Sequence, residues 1–506
     1  MTPRLTETSA VPLPAFLRQR PWLAVFALAL FLGLAFQGTR GLWEPDEGRY
    51  TNVALQMIHS GDWISLRRNE TALHFTKPPV TYWAIAASVE SFGRNEWAVR
   101  LPMALAYALT VLMVFQLGKR FVPDKPWLPA LIYASSPIPF LATNTVNTDT
   151  MLAAMEALSV LCFVQYRFGG GNRRWLDAMW AAFGLAFLTK GPPSLLPLLA
   201  IVVFQFNQRD ARSLLRPLGM LAFALVGFSW FVVVINRHPG LLDYFLGHEV
   251  YARIATDELK RYPEWYGPFV IYLPTLVVGM LPWLFAVRKP ALPRWASLTT
   301  ESRFIWIWLA LPVLVFCLAR SRLPLYLLPL FVPISLLMAR NISTHWNARR
   351  ANAIAGWLAV WLLLLLGLKY WVSSHYVTDK DGRPFAAQLQ PMIPGHPDKL
   401  LFVEDMTRNG LNLYLDTDIE RVSFKPIQKM ISDSSYDSTL AQALAQPGSH
   451  RVFIMKRNVE QFFLDAVKAA HKSPVLLGRI EEAKKRDDRE RVVYTLAGDF
   501  PANAAP

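Results

Sequence analysis

The sequence predicts a mainly α-helical, polytopic membrane protein with about eleven transmembrane helices and a soluble C-terminal α/β unit. Three observations predict it. The 506 residues are 53% hydrophobic, include 18 Trp, and have a positive mean hydropathy. Apolar runs recur at the length a bilayer-crossing helix needs, about 18 residues or more. After Trp371 the composition turns water-soluble and stays so to the end.

The first 21 residues are polar and contain proline, and no small-residue cleavage site follows the apolar run. Trp22–Gln37 therefore reads as a retained anchor helix and not as a cleaved signal. The spans fall at 22–38, 98–117, 127–144, 149–166, 175–189, 192–206, 217–236, 267–287, 304–318, 323–339 and 352–372. Alternate loops carry the basic residues. These are Arg18 and Arg20; Lys119 and Arg120; Arg167, Arg173 and Arg174; Arg209, Arg212 and Arg216; Arg288 and Lys289; and Arg340, Arg349 and Arg350. The positive-inside bias makes those loops and the N-terminus cytoplasmic. Loops 39–97, 145–148, 190–191, 237–266 and 319–322 then face outward, as does everything after 373.

Two domains result, a transmembrane domain over 1–373 and an outward α/β domain over 374–506. Within the long outward loop 39–97, Tyr50–His59 and Val80–Phe92 are amphipathic and predict interfacial helices; loop 237–266 has a similar character. In the C-terminal domain, Leu400–Val403, Val452–Met455, Val475–Leu477 and Arg491–Leu496 read as strands, and Asp433–Ala445 and Val459–His471 as helices. That mixture is an α/β layer arrangement. It has no glycine-rich phosphate loop and no nucleophile elbow, so its role is structural or acceptor-binding. Gly498–Pro506 reads as a frayed end.

The net charge of +15, from 52 basic and 37 acidic residues, is accounted for by the cytoplasmic loops. No basic tract interleaved with exposed aromatics points to nucleic acid. Cys162 and Cys317 both lie in predicted spans, which predicts free thiols and no disulfide or metal framework. No internal repeat is visible, which disfavours a transporter of paired halves.

Basic residues on the outward side run against the charge bias. Lys77, Lys190, Arg320 and Arg322 each sit at an interface beside Pro or Gly. Snorkelling onto ordinary headgroups explains any one of them; together they suit a lipid phosphate, which Lys and Arg bind through charge-assisted hydrogen bonds. Acids form the second set. Asp46 and Glu47 open the first outward loop in Leu42–Tyr50, and Asp149 begins a span, where an N-terminal helix position alone would also explain it. Glu156 lies about two turns further on the same face. Sugar transfer from a phosphate carrier needs an acid to take the acceptor's proton and positive charge to stabilise the departing phosphate. His59, His74, His238 and His248, with Asp243 and Glu249, leave room for a divalent cation, at no tight metal-binding spacing.

These motifs in this order resemble the membrane glycosyltransferases that use polyprenyl-phosphate sugars, and most of all the bacterial lipid A aminoarabinose transferases within the protein O-mannosyltransferase-like group. The matching pieces are Leu42–Tyr50, Ser60–Trp63, Phe75–Pro79 with Tyr82–Trp83, Asp149, Thr189–Gly191, Leu281–Trp283 and Arg320–Tyr326. The resemblance implies the C-type glycosyltransferase fold in the bacterial inner membrane, with a periplasmic active site. It implies an undecaprenyl-phosphate-linked sugar donor, inversion at the anomeric carbon, and lipid A or another envelope acceptor. By residue it implies Asp46 as the catalytic acid, Asp149 as a second functional acid, and Arg49, Lys77, Lys190 and Arg320, Arg322 and Tyr326 around the carrier phosphate. Glu47 is counted with Asp46 and Asp149 among the catalytic candidates, its part being to orient the loop, pair with Arg49 or bind the acceptor. Where those transferases carry an acid before the lysine of the Lys-Pro element, this chain has Thr76. That departure bears on a metal site and on which sugar is carried. A protein hydroxyl or a surface polysaccharide is the alternative acceptor; a lipid-linked-sugar flippase is the non-enzyme alternative.

Overall fold

Helices that are apolar on every face can be stable only in lipid or in a protein core. The computed structural model describes residues 20–206, 208, 210–252, 261–287, 294–376, 378–427, 430–432, 434–446, 450–481 and 490–500. The N-terminal segment through residue 19, Arg209, Arg288, Lys289, Asp433 and the tail 501–506 lie outside them. Among the described residues, six helices are long and apolar enough to cross a membrane: Glu96–Phe121, Thr148–Phe168, Pro217–Arg237, Thr300–Leu318, Pro324–Thr344 and Asn352–His375. Pro21–Leu34, Pro192–Phe206 and Gly267–Gly279 are shorter apolar helices.

Proline divides two of the expected spans. The run 127–144 is two helices, Trp127–Ser135 and Pro137–Ala142, because Pro137 lacks the N–H that would continue the ladder. Helix Gly267–Gly279 likewise stops before Pro282, and a short turn, Trp283–Phe285, follows. Helix Pro217–Arg237 keeps an apolar exterior, with Leu218, Leu221, Leu225 and Val232 exposed. Helix Glu96–Phe121 is buried along most of its length and packs on its neighbours through Ala104, Ala108, Val111 and Phe115.

The C-terminal unit is a six-stranded sheet in the order β3-β2-β1-β4-β6-β5, where β1 is Lys399–Val403, β2 Asp418–Ser423, β3 Ser438–Thr439, β4 Arg451–Lys456, β5 Pro474–Ile480 and β6 Arg491–Leu496. The first four strands in that order are parallel; β6 runs antiparallel to both β4 and β5. Parallel strands are covered on both faces, and alternate residues divide accordingly. Leu400, Phe402, Val452 and Ile454 pack under helices Gly382–Leu389 and Leu411–Leu415. Leu401, Val403, Phe453 and Met455 pack under Leu440–Ala445 and Glu460–Ala469. The four expected strands are present. The expected helix from Asp433 is confined to Leu440–Ala445, where Thr439 and Gln442 form a capping box.

Loop 39–97 differs most from expectation. Helix Asp46–Ser60 buries Glu47 through Met57, except for no more than Arg49 on its first turn. Its polar face is met by protein: Asn412 donates to Asn52 at 2.7 Å, and Gln56 donates to Asp418 at 2.8 Å. An amphipathic pattern reports a two-faced helix without saying what covers the polar side. Here the α/β unit covers it.

Candidate active site

Asp46 and Glu47 begin one helix and end in opposite environments, because successive helical residues point about 100° apart. Asp46 is exposed over 68% of its side chain and meets Arg49, one turn on, at 2.5 Å. Glu47 is buried. Its carboxylate accepts from Arg40 Nη1 (2.6 Å), Arg100 Nε (3.0 Å), Arg100 Nη2 (3.2 Å), and the Trp43 and Val146 N–H groups at 2.9 Å. Burial would push this acid up, but Arg100 and Arg40 outweigh it and hold the pKa at about 2. Two oxygens offer about four lone-pair positions, and five donors fill them. Glu47 therefore has no capacity for a substrate. The expectation of a catalytic Glu47 is corrected to orienting the loop, and Arg49 pairs with Asp46 instead. Arg40 and Arg100, neither of them singled out in the sequence, are the side chains that hold this carboxylate.

Behind Asp46 lies a cationic neighbourhood. His74 is fully buried, and burial, then Arg49, Arg68 and Lys77, push its pKa well below the ordinary value. Its Nε2 bonds the Thr76 hydroxyl at 2.9 Å. Lys77 donates to the Thr76 carbonyl (2.8 Å) and lies 3.7 Å from Glu249. Tyr82 is buried, with Tyr50 5.6 Å away between ring centroids; burial pushes its hydroxyl up, so it stays a hydrogen-bond donor. Arg49 and Lys77 thus both stand beside the buried His74, with Tyr82 packed against it.

The second cluster comes from three other segments. Asn147 caps helix Thr148–Phe168 by accepting the Thr150 N–H, which fixes Asp149 in its first turn. Lys190, the last residue of helix Arg174–Lys190, forms an ion pair with Asp149, and its ammonium sits 4.7 Å from the Tyr326 ring centroid. Arg261 reaches the Tyr326 hydroxyl at 3.4 Å, a neighbour that the sequence reading did not single out. The two clusters are linked: the Val146 N–H that Glu47 accepts lies just before the Asn147 cap, and Val80 packs with Met151.

Arg320 and Arg322 do not act together. Arg322 is buried, and it donates to the backbone carbonyls of Tyr262, Glu264 (2.9 Å) and Cys317 (3.0 Å). It holds the segment that carries Arg261 in place, which corrects its assignment to the carrier phosphate. Arg320, two residues back, is exposed. The histidines are dispersed. His59 is exposed, His238 bonds the Ser65 hydroxyl (3.1 Å), and His248 stacks on Tyr244 at 5.3 Å. Among the described residues no three His, Cys, Asp or Glu side chains converge as a metal site would require.

Residues 76–236 match the dolichyl-phosphate-mannose-protein mannosyltransferase family. The chain is 32% identical, over 367 residues, to the undecaprenyl phosphate-alpha-4-amino-4-deoxy-L-arabinose arabinosyl transferase 2 of Pseudomonas fluorescens; the alignment covers 70% of this chain and 64% of the relative. It is 34% identical to the protein of the same name from Sodalis glossinidius, covering 68% of this chain and 62% of the relative. The chain thus spans less than two thirds of these relatives' length. The crystal structure of ArnT from Cupriavidus metallidurans bound to undecaprenyl phosphate superposes with a TM-score of 0.70 at 22% identity, covering 94% of this chain and 98% of that one. The chain is therefore aminoarabinose-transferase-like in sequence and shares the fold of the Cupriavidus metallidurans ArnT structure.

Proposed function

We propose that this protein is a bacterial inner-membrane glycosyltransferase. It moves a sugar, 4-amino-4-deoxy-L-arabinose or a related one, from an undecaprenyl-phosphate donor to lipid A, at the periplasmic face. The N-terminus is cytoplasmic in this reading, and the α/β unit is periplasmic. The observation that carries it is an exposed carboxylate, Asp46, on the same helix turn as Arg49, with Arg49 and Lys77 both beside His74 and the Asp149–Lys190–Tyr326 cluster joined to that helix through the Glu47–Val146 bond. Similarity to the undecaprenyl phosphate-aminoarabinose arabinosyl transferases supports the donor; lipid A as acceptor follows from the motif resemblance.

In the reaction, an oxygen of the acceptor attacks the anomeric carbon from the side opposite the carrier phosphate. Asp46 takes the acceptor's proton. The bond to the carrier oxygen breaks, its electron pair leaves with the phosphate, and the configuration inverts. Arg49 and Lys77 meet the developing negative charge. Lys190 has Asp149 as a resident partner, so it can exchange one anion for another without being left unpaired. Glu47 holds the start of Asp46's helix and touches no substrate. Arg320 remains a candidate for the phosphate; Arg322 acts through the backbone.

The test is purified protein incubated with a panel of polyprenyl-phosphate sugars and lipid A, read by mass spectrometry. A pentosamine added to lipid A supports the reading. Glycosylated Ser/Thr peptides with unmodified lipid A would replace it with a protein mannosyltransferase, and carrier movement without product with a flippase. Lys77→Gln is expected to lower kcat/KM for the donor by on the order of 10²-fold, with the thermal unfolding midpoint unchanged.

A further inference from the structure

Two residues before Asp46, Glu44 takes no part in that chemistry, yet it is only 2% exposed. It reaches the α/β unit twice. Its backbone N–H donates to the Lys380 carbonyl at 2.9 Å, and its Oε1 accepts the Gly410 N–H at 2.5 Å. Its Oε2 is buried without a hydrogen-bond partner. Two glycines wall it in: a methyl group added at Gly48, on the first turn of Asp46's helix, would overlap both carboxyl oxygens, and one at Gly410 would press on Oε1.

The charged groups that face it are Arg408 from the α/β unit and Glu47 from its own loop. Arg408 donates to the Asp379 carbonyl and lies over the Phe385 ring, with Arg491 and Asp405 beyond. Among the described residues Glu44 makes no ion pair. An ionised carboxylate there would be desolvated, with Arg408 facing it but forming no ion pair, and would sit beside a second anion, Glu47. Burial accordingly pushes its pKa to about 8, against the opposing pull of the Gly410 N–H, Arg408 and the Asn409 N–H.

We propose that Glu44 is a positioning residue: as a neutral carboxyl it accepts the Gly410 N–H across the junction, and through that bond the α/β unit sets the start of Asp46's helix. The proposal rests on the transferase reading for its effect on rate, and on the junction alone for its effect on structure. Ionisation strengthens the single Gly410 bond but leaves a desolvated anion between Gly48 and Gly410 beside Glu47, and that cost favours opening of the junction to water. The sign for stability follows from linkage. The folded chain keeps this proton to about pH 8 and an ordinary glutamate only to 4.5. Its contribution is therefore greatest below 4.5 and declines as pH rises toward 8.

Three proteins decide it: wild type, Glu44→Gln and Glu44→Ala, each assayed from pH 6.5 to 9.5. The glutamine keeps an acceptor oxygen and cannot ionise. It is expected to match wild type at pH 7 and to lack the wild-type fall in kcat near pH 8. Alanine leaves the Gly410 N–H unpaired and is expected to lower kcat about tenfold at every pH. Hydrogen exchange of 46–60 and 408–415, corrected for intrinsic rates, is the readout that needs no donor. Protection in wild type should fall as pH rises from 6.5 to about 8 and level off above it, stay constant in the glutamine variant, and be low throughout in the alanine variant. Parallel alkaline loss in wild type and Glu44→Gln would overturn the proposal, as would alanine behaviour equal to wild type. If no donor yields product, the transferase reading fails and exchange alone decides the role of Glu44. If the alanine variant does not fold, the glutamine comparison decides.

Discussion

Asp46→Asn is expected to lower sugar transfer by roughly 10²–10⁴-fold, the range that a positioned acid or base contributes, and to leave the protein folded. The side chain is exposed, and its recorded partner is Arg49 on its own helix. Asparagine has the same size and suits a helix's N-terminal turn, so stability should change by less than about 0.5 kcal/mol. In the proposed mechanism what is lost is the anion that accepts the acceptor's proton. Lipid A mass spectra of cells carrying the variant, together with thermal unfolding of the purified protein, separate the two effects. Normal modification by a well-folded Asp46→Asn protein would remove Asp46 from the mechanism.

The neighbouring pair Asp46 and Glu47 shows where a sequence is legible and where it is not. Both acids were visible as candidates, because two carboxylates beside a membrane helix need an explanation. Which one meets substrate depends on partners distant in the chain. Arg100 is 53 residues away and lies inside an apolar run, where a single arginine reads as an exception to the span and not as a counter-ion. Lys190 and Asp149, 41 residues apart, were both legible because each sits at a helix end facing the same side. Arg322 was misread for the opposite reason. An arginine against the charge bias suggests a phosphate, but backbone carbonyls freed where helices end take its protons equally well. Arg261 carried the same signal, a cation in an outward loop, and was passed over in favour of the Arg320 segment.

Elements followed the same division. Strands of apolar residues, such as Leu400–Val403, were legible. β2, Asp-Ile-Glu-Arg-Val-Ser, was not, because its polar residues are satisfied by tertiary contacts: Lys399 donates to Glu420 at 2.9 Å, and Arg421 reaches the Asp405 carbonyl at 2.8 Å. The same junction covers the polar face of helix Asp46–Ser60. Arg68 pairs with Asp437, and Tyr414 donates to Glu96 at 2.9 Å. The α/β unit is thus one wall of the candidate site, which periodicity within loop 39–97 could not reveal.

Glu47→Ala is expected to damage the fold where Asp46→Asn damages only the chemistry. Removing one partner of a buried ion pair costs about 3–5 kcal/mol, because the remaining charge stays desolvated. Here two arginines would be left, Arg40 and Arg100, both almost fully buried. Arg100 keeps the carbonyls of Gln37, Arg40 and Gly41, and Arg40 keeps those of Gly41 and Asn144. Those bonds satisfy hydrogens without neutralising charge. Against a typical stability of about 5–15 kcal/mol, such a loss should appear as poor accumulation and a clearly lowered unfolding midpoint in detergent. The pH dependence has a definite sign. Because the folded acid is held at about 2, its contribution is complete above the ordinary 4.5 and is lost as pH falls toward 2. Should Glu47→Ala unfold at the wild-type temperature yet fail to transfer sugar, the saturated carboxylate would have to open to substrate, and the catalytic role expected from its place beside Asp46 would return.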